Sequence, residues 1–230
     1  MENVPKLAKF DVFGDFVKKL EDLSYFVSYK LVECEKYGLP QTRKRLVLLA
    51  SKFGGINLIE PTHTEPESFV TVRDVLEGYP ELRSGEAIKG DPLHKSAELS
   101  ALNLKRIKAS KPGGSWRDWP KSLITECHKK ESGNTYVSVY GRMEWDKPSP
   151  TVTTQYYGYG NGRFGHPYQH RAISLREGAT LQSFPSDYKF TPDGQSISTG
   201  AVGRLVGNAV PPLLGKIVGQ SIQKHVSQYN

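Results

Sequence analysis

The sequence predicts an α/β fold with a smaller region of mixed α+β character set into it. Three observations carry that reading: an amphipathic helix and two strand-like runs fill the first 51 residues, an amphipathic helix closes the chain, and the stretch between is broken by glycine and proline. In KLAKFDVFGDFVKKL, residues 6 to 20, Leu7, Phe10, Phe13, Val17 and Leu20 recur at three-to-four-residue steps, which gives a helix one apolar face. YFVSYKLVE (25 to 33) is rich in β-branched and aromatic residues. RLVLLAS (45 to 51) has the continuous apolar run of a strand covered on both faces, and the EKYGLPQ connection between the two can carry functional side chains.

From about residue 54 the texture changes. A short helix is expected near 71 to 77, capped by Thr71, with Val72, Val75 and Leu76 facing inward. The segment 95 to 130 is dense in Lys and Arg and contains KPGGSWRDWP, where two glycines adjoin two tryptophans. It suits a phosphate-contacting surface; the alternative is a solvated face with its tryptophans anchored in a core. YVSVYGRMEWDKPSPTVTT (136 to 154) reads as strands broken at glycine and proline, and QYYGYGNGRFGHP as an irregular loop. LREGATLQSF reads as a short helix. LVGNAVPPLLGKIVGQSIQKHV reads as a turn and then a helix, with Pro211 or Pro212 in its first turn and Leu213, Leu214, Ile217, Val218 and Ile222 on its inner side.

The 230 residues are enough for a substantial core, and 31 Lys+Arg against 24 Asp+Glu give a formal charge of +7, which favours an anionic partner without identifying one. Two cysteines, Cys34 and Cys127, lie outside CxxC spacing; a reducing compartment is expected and no metal site. No apolar run approaches the roughly 18 residues a membrane span needs, so a soluble, cytoplasmic protein is expected.

Three stretches are more specific. KYGLPQTRKRLVLLAS (36 to 51), HRAISLREGATLQSFPSDYKF (170 to 190) and VGRLVGNAVPPLLGKIVGQSI (202 to 222) resemble, in order and spacing, the last blocks of the C5-cytosine DNA methyltransferases, and WDKPSPTVTT and GRFGHP resemble the target-recognition region of one branch. The family's doubly wound, Rossmann-like sheet would here be incomplete, lacking its N-terminal strands. The resemblance divides the chain into the end of a catalytic domain (1 to 55), a target-recognition domain with its hinge block (56 to 195) and a returning catalytic helix (196 to 230).

The resemblance implies residue roles. Glu2, in an ENV tripeptide, stands for the catalytic glutamate that contacts N3 and the exocyclic amine of the target cytosine. Gln41, Arg43 and Arg45 occupy a QxRxR pattern on one side of an extended segment; Arg45 is assigned to the cytosine O2 and catalysis, and Arg43 to phosphate or structural ion pairs. Asn208 and Gly207 stand beside the S-adenosylmethionine pocket. Arg171, Arg176, Glu177 and Gln182 support the recognition block. Lys105, Arg106, Lys108, Lys111, Arg117, Lys121, Thr151, Thr153, Thr154 and Arg163 are the DNA-binding candidates, for double-stranded DNA.

The family's nucleophile is a cysteine after proline. Cys34 follows Glu33 and Cys127 follows Glu126, so neither matches, and Cys34 is expected to be buried and inert. The expectation is therefore a C-terminal part of a split or truncated enzyme, inactive alone. An upstream methyltransferase subunit would supply the Pro-Cys block and most of the cofactor pocket, forming a heterodimer in a restriction–modification setting. The alternatives are an inactive DNA-binding fragment and a basic nucleic-acid-binding scaffold.

Overall fold

A computed structural model describes residues 1–192 and 195–229. Its main sheet has the order β1–β3–β2, built from β1 (Glu2–Asn3), β2 (Phe26–Glu33) and β3 (Lys44–Ser51). β2 pairs antiparallel with β3 from Phe26↔Ser51 to Glu33↔Lys44, and β1 lies antiparallel on the other side of β3, with Glu2 opposite Val47. β3 is apolar from Leu46 to Ala50 because both its faces are covered there. Leu46 and Leu48 pack with Phe13, Val17 and Leu20 of α1 (Asp11–Asp22). Val47 and Leu49 pack with Ile56, Leu58 and with Leu214 and Ile217 of the last helix, α7 (Pro212–Val226).

This corrects the expected fold class. Strand and helix elements are in place from the start of the described chain: β1 lies at Glu2–Asn3, a 3-10 turn follows at Pro5–Lys9, and α1 packs on the sheet. Among the described residues every strand pair is antiparallel. β2 and β3 are joined by residues 34–43 without a crossover helix, and a connection that short can only return the chain antiparallel. The first helix also starts later than its periodicity suggests, because Phe10 takes an extended conformation (φ −101°, ψ 139°) and stays exposed.

The middle of the chain forms short elements around two further cores. α2 (Val72–Leu76) begins with a reciprocal cap in which Thr71 accepts from the Asp74 amide and the Asp74 carboxylate accepts from the Thr71 amide. A small hairpin of β4 (Ala87–Ile88) and β5 (Asp91–Lys95) follows, then α3 (Ala101–Ala109) and α4 (Glu126–Lys129). Trp116 and Trp119 are core residues, packed with Ile107, Tyr159 and Ala172. Residues 136–154 form no strand. Pro148 and Pro150 cannot donate to a ladder, and the remaining backbone groups bond singly, as in Met143 N–H to the Gly165 carbonyl (2.9 Å) and Ser149 N–H to the Pro40 carbonyl (3.0 Å).

α5 (Leu175–Leu181) is capped by Ser174 and Glu177 in the same reciprocal way as α2. The stretch expected to be a turn before α7 is largely a helix, α6 (Thr199–Asn208). Its glycines disguise it, and they are there for contact: a Cβ on Gly203 would lie 2.3 Å from a Tyr157 ring carbon, and one on Gly207 would lie 2.5 Å from the Thr154 backbone nitrogen.

Candidate active site

Glu2 and Arg45 face each other across β1 and β3. The Arg45 Nε is 2.7 Å from Glu2 Oε1, with side chains 15% and 19% exposed, and Arg45 Nη1 donates to the Lys44 carbonyl at 2.7 Å. The guanidinium N–H does not point at the carboxylate oxygen, so the contact is an ion pair without a hydrogen bond. Glu2 Oε1 is therefore a buried acceptor with no donor.

Gln41 and Arg43 point the same way along the chain but go to different partners. Gln41 is fully buried and its amide is saturated. Nε2 donates to the Leu181 carbonyl (3.1 Å) and to Gln182 Oε1 (2.7 Å), and Oε1 accepts from the Val152 amide (2.9 Å) and Arg43 Nη1 (3.3 Å). Arg43 also donates from Nη1 to the Val152 carbonyl and from Nη2 to the Gly207 and Ala209 carbonyls. Among the described residues its guanidinium has no carboxylate partner and meets no open surface, so neither the phosphate role nor the ion pair expected of it is present; only its backbone amide meets a carboxylate, Glu35 Oε2 at 3.2 Å. Burial, with Arg45 nearby, lowers its pKa to about 10, and its Nε stays without a partner. Gln182 completes the group by donating to the Val206 and Ala209 carbonyls at 3.0 Å each.

A second buried network lies beneath α5. Arg171, with no exposure, grips Glu177 by two 2.7 Å contacts, Nη1 to Oε2 and Nη2 to Oε1, and the Ser174 amide gives Oε2 another at 2.7 Å. Burial works against the Glu177 charge, but Arg171 outweighs it and holds the carboxyl down at about 2. His166 stands beside it, with Nε2 3.8 Å from Glu177 Oε1. Its Nδ1 accepts from the backbone amides of Tyr168 (3.2 Å) and Gln169 (2.9 Å), which makes the ring neutral and leaves the proton on Nε2. Burial pushes its pKa down to about 3. Arg176 makes a two-pronged contact with Asp91 (2.7 and 2.9 Å) and ties α5 to β5.

Gly207 is buried against Thr153 and Thr154. Asn208 is exposed and, with Ala201, Arg204, Leu205 and Ala209, lines an open depression of about 460 Å³. A side-chain amide and a guanidinium beside apolar carbons fit a ligand that joins a carboxylate to an aromatic ring, as S-adenosylmethionine does. Arg204 carries no motif signal and only the structure brings it there. Thr151 Oγ1 donates to the Thr42 carbonyl at 2.7 Å; Thr153 is exposed.

The basic candidates divide. Lys105, Lys108, Lys111 and Lys121 are exposed and form no ion pair among the described residues. Arg117 is exposed and donates to the Asn134 carbonyl at 2.8 Å. Arg106 is internal: it bonds the Leu123 carbonyl and Asn103 Oδ1 and lies over the Trp119 and Tyr140 rings. Arg163 is half-buried and holds the Gly113 carbonyl. Neither is free for DNA.

Cys34 is 1% exposed, and its amide donates to the Arg43 carbonyl at 2.8 Å. Burial pushes its thiol up to about 12, although it lies within electrostatic reach of Arg43, Arg45, Glu35 and Glu2. The chain thus has a thiol of its own near the Glu2–Arg45 pair, held in the protonated form. Cys127 is exposed, with Sγ 3.1 Å from Thr125 Oγ1.

The model of a family described as C-5 cytosine-specific DNA methylase matches residues 1–224. The chain is 55% identical over 227 residues to the Type II methylase M.HgiDII of Herpetosiphon aurantiacus, covering 97% of this chain and 64% of that protein. It is 35% identical over 231 residues to the Type II methyltransferase M1.HphI of Haemophilus parahaemolyticus, covering 97% and 56%. The chain therefore spans somewhat more than half the length of these curated relatives. A crystal structure of an E. coli prophage protein assigned as a DNA modification methyltransferase superposes with a TM-score of 0.67 at 18% identity, covering 98% of this chain and 68% of that one, a likeness of fold.

These matches correct the expectation of a C-terminal portion, split or truncated and inactive alone. The family model takes in nearly the whole chain from residue 1, and 97% of it aligns with M.HgiDII, not only the closing blocks. The heterodimer with an upstream subunit that supplies the sulfur and most of the cofactor pocket falls with that expectation, as does the inert DNA-binding fragment.

Proposed function

The chain belongs to the C-5 cytosine-specific DNA methylase family, and from that membership we propose that it acts in transferring a methyl group from S-adenosylmethionine to C5 of a cytosine in double-stranded DNA. The observation that carries this reading is Glu2 Oε1, a buried carboxylate oxygen without a hydrogen bond, held 2.7 Å from Arg45 Nε. A buried acceptor left open is costly unless an incoming donor completes it.

A cytosine reaches such a position only when turned out of the stack. Its 4-amino group then donates to Glu2 Oε1, and a proton shared between the carboxyl and ring N3 offsets the negative charge that develops when a nucleophile adds at C6. In this reading Arg45 orients Glu2 across β1 and β3, and its remaining N–H groups donate to the base's O2. S-adenosylmethionine, when bound, supplies an electrophilic methyl. Asn208 and Arg204 would hold it, by the amide and the guanidinium that line their depression.

The exposed lysines at 105, 108, 111 and 121 neutralise the phosphate backbone in this reading. The Type II names of the two relatives support a restriction–modification setting. The unpaired state of both cysteines supports a cytoplasmic location, which recovery of the protein from an oxidising compartment would overturn.

Glu2→Gln tests the central step. It removes the charge and proton-sharing capacity but keeps the shape, so turnover falls by about 100-fold or more while DNA affinity stays within about threefold. Full turnover in this variant refutes the role.

A further inference from the structure

We propose that Gln41, Arg43 and Gln182 form a buried joint that sets the Thr151–Thr154 segment relative to the Glu2–Arg45 pair, which makes them positioning residues for the reaction. The inference rests on the methylation reading for its purpose, and on geometry for its existence. Four stretches distant in sequence meet at this joint. Gln41 binds Val152 on one side and Leu181 and Gln182 on the other, Gln182 binds Val206 and Ala209, and Arg43 binds Val152, Gly207 and Ala209. The Gln41 amide has no unused donor or acceptor, and its exposure is nil, so moving any partner leaves a buried polar group unmet.

Two further features make the joint exacting. Arg43 is a buried cation whose guanidinium hydrogen bonds, among the described residues, all go to carbonyl and amide oxygens; two of its carbonyls, from Gly207 and Ala209, lie at the C-terminal end of α6, where the helix dipole is negative. Its charge is tolerated only while that helix end stays in place. The backbone at 153–154 rests directly on Gly207, where a Cβ would come within 2.5 Å, so no side chain cushions the contact. Arg45 follows Arg43 by two residues, at the start of β3, and a shift at 43 is passed along the chain to the Glu2 contact. Packing glue would need none of this saturation.

The test uses the full chain and Gln182→Met, which keeps volume and removes both amide functions. The residue 182 side chain bonds to Gln41, Val206 and Ala209, and not to Val152. The joint transmits the change through Gln41, so the Val152 amide exchanges with solvent at least about tenfold faster in the variant, at a temperature where circular dichroism shows it folded. With DNA, the ratio of kcat/KM on the recognised sequence to that on a singly altered one falls about tenfold, beyond any loss of folded fraction. If Gln182→Met does not fold, Gln182→Asn, which keeps the amide but withdraws it by one methylene, is read at the same amide.

Faster exchange confined to 206–209, or an unchanged specificity ratio, overturns the proposal. If the unmodified protein neither binds nor methylates DNA but Val152 still loses protection, the methylation reading fails and the joint stands. If it methylates DNA and Val152 is undisturbed, the joint fails and that reading stands.

Discussion

Glu177→Gln breaks the most completely buried ion pair among the described residues and gives the sharpest stability prediction. The carboxylate accepts from Arg171 Nη1, Arg171 Nη2 and the Ser174 amide, each at 2.7 Å, and neither Glu177 nor Arg171 has any exposed surface. Glutamine keeps one oxygen, which serves at most part of that set, and turns an NH2 group toward a guanidinium that can only donate. Removing one partner of a buried pair costs about 3–5 kcal/mol, because the other charge is left uncompensated. Arg171 keeps the Ala172 carbonyl (3.1 Å) and Gln169 Oε1 (2.7 Å), which places the loss near the lower end, at about 3 kcal/mol. A carboxyl held down from 4.5 to about 2 corresponds to a similar amount at neutral pH. For a chain of this length a loss of about 3 kcal/mol lowers Tm by roughly 6–12 °C. Urea unfolding at pH 7 with calorimetry measures both. The Glu177 contribution is present above pH 4.5 and is lost as pH falls through about 2, so the gap between the two proteins narrows in acid. A loss below about 1 kcal/mol at pH 7 would mean that Arg171 does not depend on this carboxylate, and the reasoning fails.

Three other outcomes follow from the same structure. His166 is neutral when folded, with its pKa lowered from 6.5 to about 3, so its contribution is intact above pH 6.5 and declines by about 1.4 kcal/mol per pH unit below it. Potentiometric unfolding between pH 6 and 4 takes up about one proton fewer in His166→Asn, and an equal uptake contradicts the assignment. Replacing Lys105, Lys108, Lys111 and Lys121 by alanine flattens the salt dependence of DNA binding by about 0.9 in log–log slope for each phosphate these lysines neutralise; an unaltered slope places the footprint elsewhere. Iodoacetamide at pH 8 alkylates Cys127 in the folded protein and spares Cys34, whose thiol is raised to about 12 and closed to solvent. Comparable labelling of both would show that the sheet opens around Cys34.

Sequence alone determined whatever depends on neighbours a few residues apart. A 3.6-residue period placed α1 and α7, β-branched and aromatic richness placed β2, a continuous apolar run placed β3, and the Thr71 cap marked the start of α2. The order of short phrases located Glu2 and the 41–45 pattern. Tertiary structure alone decided what those residues do. Arg43 and Arg45 have the same chemistry two positions apart. One is drawn to carbonyls at the end of α6 and the other to Glu2 on the adjoining strand. Arg106 reads like the lysines around it until Trp119 and Tyr140 close over its guanidinium. The glycines of α6 lower helix propensity, and their benefit shows only where the backbone at 153–154 comes to lie on them. The reason is range: Gln41 meets Gln182 across 141 positions and Arg43 meets Gly207 across 164, distances over which no local pattern in a chain carries information.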